Sequence, residues 1–197
     1  MRLMITGVVL AAGASSRMGS QKLLLQLGGE TVIGRTVRQV SASGVDELLV
    51  VVGFEHERVA AALEGQGCRV TVNADYAAGM GSSFRTAVAA MENSSAAMFA
   101  LADQPFVTAS EYRRLIEAYR ANPPGIVSVR YGDVTAPPHL FDRQFFPELA
   151  ALEHGARPVL QRHRDKTVVL HLPPEMLLDI DTREDYERAI ERISAGR

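Results

Sequence analysis

Residues 10–24 read LAAGASSRMGSQKLL. The apolar run Val8-Val9-Leu10 leads directly into the small residues Ala11-Ala12-Gly13, and then into a loop carrying Arg17 and Lys22. Small side chains at a strand exit let backbone amides approach a ligand closely, and amides together with two cations can neutralise a nucleotide triphosphate. The stretch therefore reads as a polyphosphate cradle made of Leu10, Ala11, Ala12, Gly13, Arg17 and Lys22. Five residues separate Gly13 from Gly19, and Lys22 follows only after Ser20 and Gln21, so this is not a Walker A loop. Nor does a G-x-G-x-x-G follow the strand, which argues against a dinucleotide fold.

Outward from this loop, short apolar runs alternate with amphipathic segments, the pattern of a mostly parallel sheet flanked by helices. Strands are expected at Gly7 to Ala11, Leu48 to Val52, Arg69 to Asn73, Ala97 to Leu101, Ile126 to Arg130 and Val168 to Leu172. Helices are expected near Val32 to Ser43, His56 to Leu63, Ser83 to Met91, Ala109 to Ala121, Arg143 to Leu152 and Arg183 to Ser194. With 197 residues, 47% of them apolar, and no linker or charge run, residues 1–197 are expected to form one α/β domain.

A net charge of −2 with mixed signs offers no basic face to nucleic acid, so the expected ligand is small. The single cysteine, Cys68, cannot close an internal disulfide, which fits a reducing, cytoplasmic setting, and it reads as a buried strand residue rather than a reactive thiol. The N-terminal residues superficially imitate a secretory signal, but cleavage there would remove the strand that positions the phosphate loop. No apolar run approaches the roughly 20 residues needed to span a bilayer.

Ligands of open α/β sheets bind beyond the carboxyl ends of the strands, and the candidate acids obey that rule. Asp103 follows the Ala97 to Leu101 run and precedes Gln104-Pro105; it reads either as an Asx turn at the strand exit or as a Mg²⁺ ligand. Asp181 is the candidate second carboxylate, with a plain N-cap as its alternative. Asp179 lies two residues back, pointing the same way but deeper. Asp185 stands three residues after Thr182, a capping-box spacing that assigns it to the helix. Gly79-Met80-Gly81-Ser82-Ser83 reads as a segment where glycine backbone runs beside a flat base and hydroxyls contact it, although Ser82 could equally cap the following helix. Asn73 ends a strand nearby and is a candidate ribose or base contact. The five histidines show no metal-ligand spacing and no Ser/His/Asp set is evident, so acid–base or nucleophilic machinery is not expected.

The pattern L-A-A-G-x-S-x-R-M-G-x-x-K resembles the signature of the MobA-like nucleotidyltransferases, and among them most the CTP:molybdenum cofactor (molybdopterin) cytidylyltransferases. The likeness continues through GMGSSFRTAV at 79–88, LADQPFV at 101–107, GARPVL at 155–160 and DIDTREDY at 179–186, in the family's order. It implies a single-domain, Rossmann-like three-layer fold of the nucleotide-diphospho-sugar transferase type. It also implies Mg²⁺-dependent transfer of CMP from CTP to the terminal phosphate of molybdopterin, with a molybdenum hydroxylase as a possible recipient. Lys22 and Arg17 would stabilise the triphosphate, Asp103 and Asp181 would hold the metal, and Leu10 to Gly13, Asn73, Gly81, Ser82, Ser83 and Asp103 would bind the nucleotide, with Ser83 as the cytosine contact. In the resembling family L-A-A-G accompanies cytidylyl transfer and L-A-G-G guanylyl transfer, so Ala12 carries the choice of base. Leu152-Glu153-His154-Gly155-Ala156-Arg157 departs from the usual G-D-x-G-A-R, and Pro137-Pro138-His139 from the usual histidine-before-proline order. Arg157 reads as an acceptor-phosphate contact or a helix-start salt bridge, and residues 162–166 as an anion site or a solvated turn. GTP as donor, a sugar or polyol phosphate as acceptor, and a non-catalytic molybdenum cofactor carrier are the competing readings.

Overall fold

The computed structural model describes residues 3–14, 18–122 and 125–195. In chain order the main elements are β1 (Ile5–Ala11), β2 (Gln26–Leu27), β3 (Glu30–Thr31), α1 (Val32–Ser41), β4 (Glu47–Val52), α2 (His56–Ala61), β5 (Arg69–Val72), α3 (Met80–Ala90) and β6 (Ala96–Leu101). They are followed by α4 (Ala109–Ala121), β7 (Ile126–Tyr131), β8 (Val134–Thr135), β9 (His139–Asp142), α5 (Phe146–Ala150), α6 (Arg157–Arg162), β10 (Thr167–Leu172) and α7 (Arg183–Ala195). The strand order is β10-β7-β9-β6-β1-β4-β5, with β8 paired to β7. Parallel pairing joins β5, β4, β1 and β6, as well as β7 and β10. The short β9 runs antiparallel between β6 and β7.

The central strands are apolar along most of their length because both faces are covered. Alternation sends Ile5, Val9, Val50, Val52, Met98 and Ala100 to one side, where α1, α4 and α7 contribute Val37, Tyr112 and Ala189. It sends Val8, Leu10, Leu49, Val51, Ala97 and Phe99 to the other, against Phe84 and Ala87 of α3, Leu149 of α5 and Val159 of α6. The result is a three-layer, mostly parallel α/β fold. Gly7 is required in β1 because a Cβ there would come within 2.7 Å of Val40 in α1. The N-terminal apolar run is thus the middle of the sheet, with Val8 and Val9 fully buried.

All six expected strands are present to within a residue or two, and Ala109 to Ala121 is a helix with those bounds. Differences arise where elements are short. The segment expected as one helix from Arg143 to Leu152 is a 3-10 turn, Arg143–Phe145, followed by α5, with Pro147 in its first turn. The helix expected from Ser83 begins three residues earlier, at Met80, which puts Ser82 and Ser83 inside its first turn. Strand β5 lies at the sheet edge, and Cys68 sits just ahead of it, half-buried rather than buried. Burial raises the Cys68 thiol pKa, which keeps it from forming the nucleophilic thiolate.

The antiparallel strand β9 buries His139, whose Nδ1 lies 3.2 Å from Ser128 Oγ on β7. Burial pushes its pKa down to about 4, against about 6.5 for an unperturbed imidazole. The unfolded chain therefore binds the extra proton first, so His139's contribution is intact above about pH 6.5 and is lost as pH falls toward 4. Urea unfolding should show this group lowering stability by up to about 1.4 kcal/mol per pH unit across that window. The neutral His139→Gln variant should lack that part of the slope.

Candidate active site

The site forms where β1 and β6 end side by side. Beyond them the Ala102 amide donates to the Leu10 carbonyl at 3.1 Å, and the Ile180 amide donates to the Asp103 carbonyl at 3.0 Å. The loop after β1 returns through a 3-10 turn at Lys22–Leu24. Buried Gln21 fastens that turn, its Nε2 donating to the Phe54 carbonyl at 3.0 Å beyond β4. Lys22 Nζ then donates to Asp103 Oδ2 at 2.6 Å and to Asp181 Oδ1 at 2.7 Å. Its side chain is only 11% exposed. Burial opposes its charge, but the two carboxylates outweigh burial and hold the pKa above that of an ordinary lysine.

The three residues singled out as chemical thus meet at one point. Asp103 is not a simple Asx turn, because its carboxylate is spent on Lys22 rather than on the turn amides. Asp181 is not the helix cap either. That task falls to a capping box, in which Thr182 Oγ1 accepts from the Asp185 amide at 3.2 Å and Asp185 Oδ2 accepts from the Asp181 and Thr182 amides at 3.1 and 2.8 Å. Partial burial works against ionisation of Asp185, yet these hydrogen bonds and Arg188 bring its pKa down to about 2. Asp179 accepts at 2.8 Å from Nε2 of the buried Gln104. Its pKa is raised by burial and by the neighbouring Asp103 and Asp181 carboxylates, which prevail over the Gln104 hydrogen bond and the Lys22 charge. Gln21 and Gln104 were not expected as site residues; only their places, one before Lys22 and one after Asp103, hinted at them.

Among the described residues no group of three or more His, Cys, Asp or Glu side chains gathers as a metal cluster. Two carboxylates remain, and both already reach a single cationic nitrogen, so their oxygens converge on one cation position. That donor set suits Mg²⁺, which takes one or two carboxylates plus phosphate oxygens. Arg17 lies outside the described residues.

On the β4 and β5 side, the buried Asn73 side chain donates to Ser82 Oγ at 2.8 Å and to Ser83 Oγ at 3.1 Å. Ser82 Oγ in turn donates to the Gly79 carbonyl at 2.7 Å, which is not the amide-accepting bond of an N-cap. The expected trio is therefore a single hydrogen-bonded unit at the start of α3. Gly81 has a packing purpose of its own. A Cβ there would stand 2.0 Å from the Leu152 carbonyl oxygen, and its amide donates to the Glu153 carbonyl at 3.2 Å. Its bareness serves the close approach of the chain after α5.

The comparisons with known proteins follow the same lines. Residues 7–167 match the MobA-like NTP transferase domain. The chain belongs to the MobA-like NTP transferase family. It is 31% identical over 198 residues to nicotine blue oxidoreductase of Paenarthrobacter nicotinovorans, covering 94% of this chain and 96% of that protein. Among solved structures it is similar to Rv0371c of Mycobacterium tuberculosis H37Rv, with a TM-score of 0.86, 34% identity and coverage of 97% and 100%. A manganese complex of that protein superposes with a TM-score of 0.80 at 33% identity, covering 95% of this chain and 98% of that one. A nucleotidyl transferase from Methanothermobacter thermautotroptrophicus gives 0.86 at 26% identity, covering 98% and 99%. This MobA-like chain is a nucleotidyltransferase with the nucleotide-diphospho-sugar transferase fold.

Family features of the acceptor side are only partly met. Arg157 begins α6 exposed, and among the described residues it has no ion-pair partner, so the expected helix-start salt bridge is not observed. The basic run at 162–166 is not a single anion site, because Arg162 and His163 both pair with Glu148 of α5. Ala12 has a packing role of its own. Ala12 is 5% exposed, and its Cβ packs against Gly53, where an added Cβ would come within 2.8 Å of the Ala12 methyl and 2.7 Å of Tyr76. The methyl therefore packs the phosphate loop on the β4 exit.

Gly53 is the point at which the phosphate loop, the β4 exit and Tyr76 converge, whereas a Cβ on Gly13 would meet nothing within 4 Å. Gly53→Ala should therefore lower unfolding stability in urea by about 1–3 kcal/mol through overpacking. Gly13→Ala should stay within about 0.5 kcal/mol of the parent.

Proposed function

We propose that this chain transfers CMP from CTP to the terminal phosphate of molybdopterin or the molybdenum cofactor, releasing pyrophosphate. The observation that carries the reading is the convergence of Asp103, Asp181 and Lys22 beside the β1 exit: two carboxylates for a divalent ion and a lysine for a phosphate. The Rv0371c complex with manganese supports a divalent ion at this fold, and Mg²⁺ is the ion proposed here. When bound between Asp103 and Asp181, it would supply charge neutralisation at the phosphates.

An oxygen of the acceptor phosphate attacks the α-phosphorus of CTP, and the bond from that phosphorus to the β-phosphate bridging oxygen breaks. The electron pair leaves with pyrophosphate. The attacking oxygen is already anionic at neutral pH, so no general base is needed, in keeping with the lack of a Ser/His/Asp set. The work reduces to aligning two anions and neutralising their repulsion. Lys22 is assigned to the α-phosphate, Arg17 to the departing phosphates, and the amides of Leu10 to Gly13 to the polyphosphate. Asn73, Ser82 and Ser83 are assigned to the ribose and cytosine, with Ser83 foremost. Gly81 keeps the start of α3 in place for them.

An oxidoreductase role, suggested by the name of the Paenarthrobacter relative, finds no dinucleotide fingerprint here, since β1 runs into Ala12-Gly13-Ala14 instead of G-x-G-x-x-G. A carrier delivering finished cofactor to a molybdenum hydroxylase would have no use for paired carboxylates. No helix among the described residues is long and apolar enough to cross a membrane, and the proposed setting is the cytoplasm.

Pyrophosphate release should be measured with Mg²⁺ and molybdenum cofactor, offering CTP, GTP, ATP and UTP in parallel. CTP should be used in preference; preference for GTP would overturn the choice of base, and no release with any nucleotide would overturn the transferase reading for this acceptor. Asp103→Asn should cut turnover at least about a hundredfold while still unfolding cooperatively.

A further inference from the structure

The arrangement of Lys22 leads beyond its assignment to a phosphate. Its Nζ lies 2.6 Å from one Asp103 oxygen and 2.7 Å from one Asp181 oxygen, the two groups assigned to the divalent ion. An ammonium so close to both carboxylates and a dication held by them would share nearly the same place. The charges make the conflict explicit: Lys22 with Asp103 and Asp181 sums to +1 − 1 − 1 = −1, and a dication added without any movement gives +1, with two cations in contact. At such separations in a largely buried site, cation–cation repulsion is strong.

The turn that carries Lys22 is anchored through Gln21 to the Phe54 carbonyl, so its backbone stays in place. The lysine stem has four rotatable bonds, which allow the ammonium to swing while the turn does not. A triphosphate arriving at the neighbouring β1 exit would present the ammonium with another anionic partner.

We propose that Lys22 is a place-holding cation, occupying the metal position between Asp103 and Asp181 in the nucleotide-free protein and giving it up when the triphosphate takes the ammonium. This inference rests on the assignment of Asp103 and Asp181 as metal ligands. It makes metal entry and nucleotide entry mutually supportive, because each relieves a charge conflict that the other would meet alone. It also gives the nucleotide-free site a cation that keeps two adjacent carboxylates from repelling each other.

The test is Mn²⁺ binding to the full chain without nucleotide, followed by the electron paramagnetic resonance signal of free Mn²⁺. Lys22→Met and Lys22→Gln should each bind Mn²⁺ about tenfold tighter than the parent or better, whereas Lys22→Arg, which keeps the charge, should not gain. Two neutral variants are used so that one that fails to fold, as judged by circular dichroism, leaves the other to decide. Equal or weaker Mn²⁺ binding by the folded neutral variant would overturn the place-holding role. If Mn²⁺ binding persists undiminished in Asp103→Asn and in Asp181→Asn, the metal assignment itself falls, and the place-holding role with it.

Discussion

The contact on which the site depends is the pair of short bonds from Lys22 to Asp103 and Asp181, which join residues 81 and 159 positions apart. They tie the loop after the first strand to the exit of the fourth long strand and to the segment that enters the last helix. An ammonium this little exposed could not stay charged unaided; with two carboxylates beside it the protonated form is favoured. Removing Lys22 would take away the ammonium that lies between the two carboxylates and leave them to repel each other. The same geometry that makes the trio suitable for phosphate chemistry therefore also closes the open end of the sheet.

Around that trio, positioning is done by groups without charge. Gln21 holds the Lys22 turn to the chain beyond β4, and Gln104 holds Asp179 so that the chain reaches Asp181 in a fixed course. The Ile180 amide on the Asp103 carbonyl joins the two carboxylate-bearing segments directly through backbone. On the opposite side Asn73 gathers Ser82 and Ser83, while Gly53 and Gly81 allow close approaches in which an added Cβ would stand 2.7–2.8 Å and 2.0 Å from its neighbours.

Much of this was legible in the sequence, and the part that was not has identifiable causes. The central strands declared themselves because parallel strands buried on both faces are continuous apolar runs, and α4 because its thirteen residues carry a clear period. Strand β9 was missed because four residues, two prolines upstream and an antiparallel partner give no period to read. Helix α6 was missed for similar reasons, with six residues and a proline in its first turn. Lys22, Asp103 and Asp181 were legible as chemistry from residue type at strand exits, but their mutual contact was not, since it depends on which strands are neighbours. The packing duties of Gly81 and Ala12 were not legible because a small residue signals close approach without saying what approaches.

The aspartates at 103, 179, 181 and 185 show how far residue type alone can carry an assignment. All four are acids on the same side of the fold, and three fall within seven positions of one another. What separates them is the donor that each one meets. Asp185 meets backbone amides at a helix start and is held ionised; Asp179 meets a neutral amide among other acids, and burial together with those acids raises its pKa. Only Asp103 and Asp181 share a cation. A carboxylate already satisfied by amides has little left to give a metal. The two that share an ammonium are by contrast convergent and exchangeable in partner, two properties that a divalent-ion site at a phosphate requires.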